Sequence, residues 1–209
     1  MTLVCFAVTA EARPFQRRAR NLSGVRVLVT GIGRRNAERA VSAWLAKEQP
    51  ARVLTCGFAG GLDAALLAGQ VVFDADQESG LHGALLATGA RQVSFHCADR
   101  VVVTPEEKRA LRASSAAGAV EMESGAIRAL CRSRGVPGAT VRVISDTAGE
   151  ALPVDFNRLL TPGFRFRCGR FAGALACRPG AIVRLWRWRC QLRLAARALA
   201  DALVRVIPT

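Results

Sequence analysis

Short, mostly apolar runs punctuate the chain at residues 3–8, 25–29, 52–56, 71–73 and 140–144. Runs of that length bounded by turn residues predict strands buried on both faces. The first leads into Thr9-Ala10-Glu11-Ala12-Arg13, which predicts a helix start with Thr9 as its N-cap. The second leads through the tight turn Thr30-Gly31-Ile32-Gly33 into residues 36–47, where Ala37, Ala40, Val41, Trp44 and Leu45 share one helical face. The third runs into Gly57-Phe58-Ala59-Gly60-Gly61-Leu62, predicted as a glycine-rich bend. Thr104-Pro105-Glu106-Glu107 combines a cap, a proline at the first position and acids in the first turn, and so predicts a helix. Gly118-Ala119-Val120-Glu121-Met122-Glu123 predicts a short strand entering a helix, which Gly135-Val136-Pro137 ends. A short strand is also expected near 92–95, within a stretch (77–100) of weak periodicity, and another at 101–103. Strands alternating with helices predict an α/β sandwich with a mostly parallel or mixed sheet.

Residues from 158 onward depart from this pattern. They hold eleven arginines and a single acid, Asp201. After a break at Arg178-Pro179-Gly180, residues 181–206 predict a helix with Ile182, Leu185, Trp186, Leu192, Leu199 and Leu203 among its apolar positions. The division expected is a catalytic domain over 1–157 and a basic helical extension, 158–209, packed on it. Two roles fit the extension. It either packs on the sheet with arginines snorkelling outward, or presents Trp186, Trp188 and leucines to an anionic membrane surface.

Composition narrows the function classes. The 209 residues are 51% apolar, which suits a folded globular chain. A formal net charge of +14 favours an anionic partner, whether nucleic acid, lipid or a phosphorylated substrate, unless it reflects a general enrichment in arginine. No recognisable nucleic-acid module accompanies the charge, so no specific nucleic acid is expected. The seven cysteines form no CxxC pair, and His82 and His96 stand alone, so no metal site is expected. Cys5 and Cys56 lie inside apolar runs and are expected as core residues. With no signal peptide and no apolar run near the roughly 20 residues of a membrane span, the expected location is cytoplasmic, with peripheral contact at the inner membrane as an extension. Gly31-Ile32-Gly33 begins like a dinucleotide fingerprint, but Asn36 occupies the third glycine position. Those glycines are expected instead to admit backbone close to a sugar or phosphate.

Three acids, Glu11, Glu123 and Asp146, sit at ends of predicted strands. Open α/β sheets bind ligands at the carboxyl edge of their strands, so these acids are candidates to converge. Taken singly, each also fits a helix N-terminal charge or cap.

Their surroundings resemble a known family. Gly57-Phe58-Ala59-Gly60-Gly61-Leu62, then Val120-Glu121-Met122-Glu123-Ser124, then Val141-Arg142-Val143-Ile144-Ser145-Asp146 resemble, in that order, the purine and uridine phosphorylase superfamily. The nearest broad branch is similar to the methylthioadenosine/S-adenosylhomocysteine nucleosidases, over about residues 3–150. The start Ala10-Glu11-Ala12-Arg13, the run from Asp99 to Arg112 and the tail from Arg178 to Arg187 more finely resemble the hopanoid-associated phosphorylases. The resemblance implies a three-layer α/β/α sandwich with a central mixed sheet and a homo-oligomer. It implies release of adenine from a purine nucleoside, most finely adenosylhopane, in which adenosine's 5′ carbon carries a triterpene. A methylthioadenosine/S-adenosylhomocysteine or futalosine nucleosidase is the alternative, and a basic membrane or nucleic-acid binding protein without catalysis is the second.

The resemblance also implies roles. Asp146 would protonate N7 of the base, which requires burial to raise its pKa. Glu11 would activate water, and Glu123 would accept hydrogen bonds from the ribose 2′- and 3′-hydroxyls. Met122 would pack on the sugar, Arg142 would lie near the nucleophile, and Gly60 and Ser145 would border the ligand. Val101 and Val102 would offer backbone groups to the purine edge. Phe58 replaces a small polar residue usual near the nucleophile. The stretch between Gly61 and Glu121 is shorter than usual, which would open the 5′ side. No cofactor is implied; inorganic phosphate is a candidate co-substrate.

Overall fold

The first apolar run forms β1 (Thr2–Phe6), and all five of its residues are buried. Strand alternation sends Leu3 and Cys5 to one core and Val4 and Phe6 to another. A strand apolar on both faces must lie between two helical layers. In the computed structural model, which describes residues 1–159, 161 and 179–207, β1 pairs in parallel with β2 (Val25–Val29) and β3 (Arg52–Gly61). The path continues from β3 to β8 (Gly138–Asp146) in parallel, then to β4 (Val71–Ala75) antiparallel and β5 (Arg91–Gln92) parallel. The order is β2-β1-β3-β8-β4-β5, with β7 (Ala119–Glu121) antiparallel to the far end of β3 and β6 (Phe95–Cys97) beside β7.

Helices cover both faces. On one, α1 (Thr9–Arg18), α3 (His82–Ala87) and α7 (Pro179–Val206) set Phe15, Leu85, Leu199 and Leu203 against Phe6, Leu54, Phe73 and Val143. On the other, α2 (Arg34–Leu45) and α5 (Ser124–Ser133) pack Val41, Leu45 and Ile127 on Leu3, Cys5 and Val53. This is the expected three-layer sandwich with a mixed sheet. A further helix, α4 (Pro105–Ser115), lies over the end of the sheet, where Leu111 packs with Leu62 and Val120. Its start is the expected capping box: Thr104 accepts from the Glu107 amide, and Glu107 accepts from Thr104.

Several local expectations are corrected. The glycine run is not a bend; β3 continues through it to Gly61, because its partner β8 stays in register as far as Ala59 and resumes after a bulge at Ser145. Thr9 is not the cap of α1. Val8 holds that position, and the Glu11 carboxylate accepts from the Val8 amide in place of a capping hydroxyl. Residues 101–103 form no strand, since the N–H and C=O of Val101 are both taken by the Asn157 side chain. Pro179 and Gly180 do not break the last helix but open it, a position where proline's missing N–H costs nothing. Trp186 faces outward, 65% exposed, while Ala195, Leu199, Ala200 and Leu203 anchor α7 to the sheet. Most of the arginine-rich stretch before this helix, residues 162–178, lies outside the described residues, as do Cys168 and Cys177. Cys5 and Cys56 are buried as expected.

Candidate active site

The carboxyl ends of β1, β3 and β8 meet at one edge of the sheet. Beyond β1, the first turn of α1 carries Glu11. Its Oε2 accepts from the Val8 amide at 3.2 Å and its Oε1 from the Phe58 amide of β3 at 3.0 Å. Burial raises the Glu11 pKa; the Arg142 guanidinium and these amides oppose the rise without cancelling it.

Arg142 belongs to β8, where alternation points Val141 and Val143 into the core of α1 and α7 and turns Arg142 to the opposite face. It is 1% exposed. Its Nη2 lies 2.5 Å from Glu121 Oε2, 3.4 Å from Glu123 Oε2 and 3.1 Å from Thr55 Oγ1, and its Nη1 donates to the Cys56 carbonyl. Glu121 also accepts from the amides of Glu123 and Ser124 where α5 begins, and from the Ser124 hydroxyl. Glu123 accepts from the Gly33 amide at 2.8 Å. Gly33 adopts a φ of 85°, so the Gly31-Ile32-Gly33 turn directs an amide at a carboxylate. The Arg142 charge goes chiefly to Glu121, and burial therefore prevails at Glu123, whose pKa rises to about 7. Gly57, at a φ of 147°, spans this cluster. A Cβ there would stand 2.7 Å from Arg142 Nη1 and 2.8 Å from Glu11 Oε1.

Asp146 ends β8 just past the bulge at Ser145. Bulges re-aim side chains at sheet edges, and here Asp146 faces a different cation. Lys108 Nζ lies 2.5 Å from Asp146 Oδ2, and the Ser145 hydroxyl lies 2.5 Å from Oδ1. Burial raises the Asp146 pKa, with Lys108 pulling it back.

A cavity of about 410 Å³ joins these groups. Glu11, Phe58, Gly60, Val102, Met122, Glu123, Arg142, Ser145 and Asp146, the residues singled out from the sequence, all line it. Two additional features are not among those expectations. Glu121 also lines it and holds Arg142; its place in the Glu-Met-Glu run was the one available signal. The mouth is apolar, with Leu152, Phe156 of α6 (Phe156–Leu159), and Trp188 and Leu192 of α7. The rings of Phe156 and Trp188 lie 5.3 Å apart, and Gln191 of α7 donates to the Ser145 carbonyl. Among the lining residues the cations are Arg100 and Arg142, and Arg100 is paired with Glu107.

Comparison with known proteins agrees with this geometry. A model of the phosphorylase superfamily matches residues 73–161. The 5′-methylthioadenosine/S-adenosylhomocysteine nucleosidase of Bacillus cereus (strain G9842) is 25% identical over 168 residues, spanning 64% of this chain and 73% of that protein. Among solved structures, the futalosine hydrolase of Helicobacter pylori strain 26695 has a TM-score of 0.71 at 17% identity, covering 98% of this chain and 96% of that one. The 5′-methylthioadenosine/S-adenosylhomocysteine nucleosidase of Neisseria meningitidis, in complex with methylthio-immucillin-A, also has a TM-score of 0.71, at 21% identity over 98% of this chain and 97% of that one. These structural likenesses concern the fold, and the family match runs across β4 to β8, the strands that deliver Glu121, Arg142 and Asp146. The chain is an enzyme that resembles the phosphorylase superfamily over residues 73–161.

Proposed function

We propose that the chain hydrolyses the N-glycosidic bond of a purine nucleoside and releases the free base. One observation carries the reading: three buried acids from distant parts of the chain line a single cavity in opposite electrostatic settings. Around Arg142, Glu11 and Glu123 are acceptors suited to a nucleophilic water and a sugar diol. At Asp146, burial favours the proton-bearing form that an acid needs. Protonation at N7 turns the purine into a neutral leaving group, and the carboxylates stabilise the cationic character that develops at C1′. The relatives named as methylthioadenosine/S-adenosylhomocysteine nucleosidases support the same reaction class.

Water suits the site better than phosphate. The Arg142 guanidinium is already held by Glu121 and Glu123, so a phosphate dianion placed there would have to compete with two carboxylates for it.

For the substrate's 5′ group we propose an apolar one, and adenosylhopane as the compound. The support is the apolar mouth formed by Phe156, Trp188 and Leu192, together with the resemblance of the motifs. Methylthioadenosine, S-adenosylhomocysteine and futalosine are the competing substrates. An associated membrane role rests on the outer side of α7, where Trp186 and Leu194 are each 65% exposed beside Arg187, Arg193 and Arg197. Each arginine near an anionic bilayer contributes about 1 kcal/mol. The deciding experiment is product analysis on adenosylhopane and methylthioadenosine, with and without phosphate. Adenine and ribosylhopane, formed faster than methylthioribose and independently of phosphate, are expected. Equal turnover of both substrates would remove the hopanoid assignment, and phosphoribosylhopane as product would remove hydrolysis.

A further inference from the structure

One buried charge next to the cavity has no task in the reaction described so far. Lys108 is 0% exposed, in a helix whose neighbouring residues Glu107 and Arg109 are turned to solvent or half-buried. Its Nζ lies 2.5 Å from Asp146 Oδ2, 2.6 Å from the Thr147 carbonyl and 2.7 Å from the Glu150 carbonyl. Those three acceptors use all three donors of an ammonium. Burying a lysine is costly unless it is paired, and an apolar side chain would fasten α4 to this turn without that cost. What the lysine adds is a positive charge directly behind the acid.

We propose that Lys108 is a positioning residue for proton transfer: it fixes the Asp146 carboxyl at the cavity and stabilises the negative charge left there when the proton moves to the departing base. The proposal rests on the purine nucleosidase reading. In the step itself, the proton on the Asp146 carboxyl passes to the N7 lone pair. The C1′–N9 bond breaks and its electron pair stays with the base; water bonds to C1′ and gives its proton to Glu11, and Asp146 remains as a carboxylate beside the Lys108 ammonium. A charge already in place where another develops needs no reorganisation during the reaction.

Two other polar groups bear on Asp146. The Ser145 hydroxyl of its own strand donates to Oδ1, and the Glu150 carboxylate of the following turn opposes ionisation. Glu150 is held by the Thr147 amide. Lys108 is thus the cation that makes Asp146 a competent donor. Without it, burial and Glu150 would keep the proton on the acid.

Lys108→Met and Lys108→Arg, in the full chain, test this on two substrates. One is a purine nucleoside; the other is 4-nitrophenyl riboside, whose leaving group departs as a stable anion and needs no proton. Lys108→Met is expected to lower kcat on the purine nucleoside by about a hundredfold with little change in KM. Its alkaline limb is expected to move to higher pH, and its loss on nitrophenyl riboside to stay within about threefold. Lys108→Arg is expected to restore most of the purine activity. Equal loss on both substrates, or an alkaline limb that stays in place, would reduce Lys108 to a structural anchor and overturn the proposal. A ¹³C titration of the Asp146 carboxyl reads the same coupling without turnover, and the midpoint is expected to rise in Lys108→Met. An unchanged midpoint overturns the proposal. Should the wild type cleave nitrophenyl riboside but no purine nucleoside, the purine reading fails on its own, and the titration still decides whether Lys108 governs the acid.

Discussion

The two ends of the cavity bury acids in contrasting ways. At one end Glu11, Glu121 and Glu123 share a single cation, Arg142. At the other, Asp146 has a cation to itself, Lys108. The shared guanidinium is committed to Glu121 at 2.5 Å and is farther from Glu123 at 3.4 Å. Glu123 therefore sits near its titration point at neutral pH and depends on a backbone amide from Gly33. The private lysine fixes its partner and the turn behind it at once. Similar desolvation thus yields an acceptor end that is electrostatically strained and a donor end that is compensated. A reaction needing an ionised carboxylate for the sugar and a protonated one for the base calls for such a split.

The largest effect expected from breaking this contrast is at the donor end. Asp146→Asn keeps shape and neutrality but cannot pass a proton, and a loss of about 10² to 10⁴ in kcat is expected for purine nucleosides. Steady-state adenine release from the folded variant checks it. Wild-type rates would remove Asp146 as the acid.

Glu123→Gln probes the acceptor end through stability. The folded-state pKa of about 7 lies above the usual 4.5. The folded protein therefore holds this proton more tightly than the unfolded chain does. The resulting stabilisation is fully present below pH 4.5 and is lost as pH rises through about 7. The glutamine variant lacks that loss. Relative to wild type it should gain on the order of a few kcal/mol between acidic and neutral pH, measured by urea unfolding at a series of pH values. Parallel stability curves for the two proteins would show that Glu123 is ionised normally.

Gly57→Ala tests whether geometry alone holds the cluster. The added Cβ would press on Arg142 Nη1 and Glu11 Oε1, at 2.7 and 2.8 Å. Displacing catalytic groups by about an ångström costs on the order of a hundredfold. The loss should appear in kcat on purine nucleosides and on nitrophenyl riboside alike, because in the proposed reading this end holds the sugar common to both. A loss confined to purine substrates would place the defect at the base instead.

Much of this arrangement is visible in the chain before any coordinates. A run apolar on both faces announces β1, a mostly apolar one announces β8, and Thr104-Pro105-Glu106-Glu107 announces α4, because burial and capping are local rules. The nine lining residues follow from motifs whose order resembles a family, not from periodicity. What local rules miss is set by tertiary contact. Phe58 to Gly61 look like a bend because glycine is abundant there, yet pairing with β8 keeps them extended. Lys108 stands between Glu107 and Arg109 and looks like one more solvated charge, since only the fold places Asp146 and two carbonyls around it. Trp188 and Leu192 belong to a helix expected to pack on the catalytic domain, but only the fold brings them to the mouth of the cavity.

The finest test of the contrast is Glu121→Gln. This change leaves Glu123 untouched and removes its competitor for Arg142. Two influences on Glu123 then move the same way. The guanidinium is free to approach it, and the neighbouring negative charge that raises its pKa is gone. Both favour ionisation, so Glu123 titrates below its present value of about 7. If the diol must meet a carboxylate, the acidic limb of kcat/KM moves toward acid by about one pH unit. Well below that limb the variant is then about tenfold more active relative to its own plateau than wild type is. The alkaline limb, assigned to Asp146 in the proposed mechanism, is expected to stay where it is. An acidic limb that does not move would mean that Glu121 and Glu123 do not compete for Arg142; movement of both limbs together would mean that the two ends of the cavity are one coupled system.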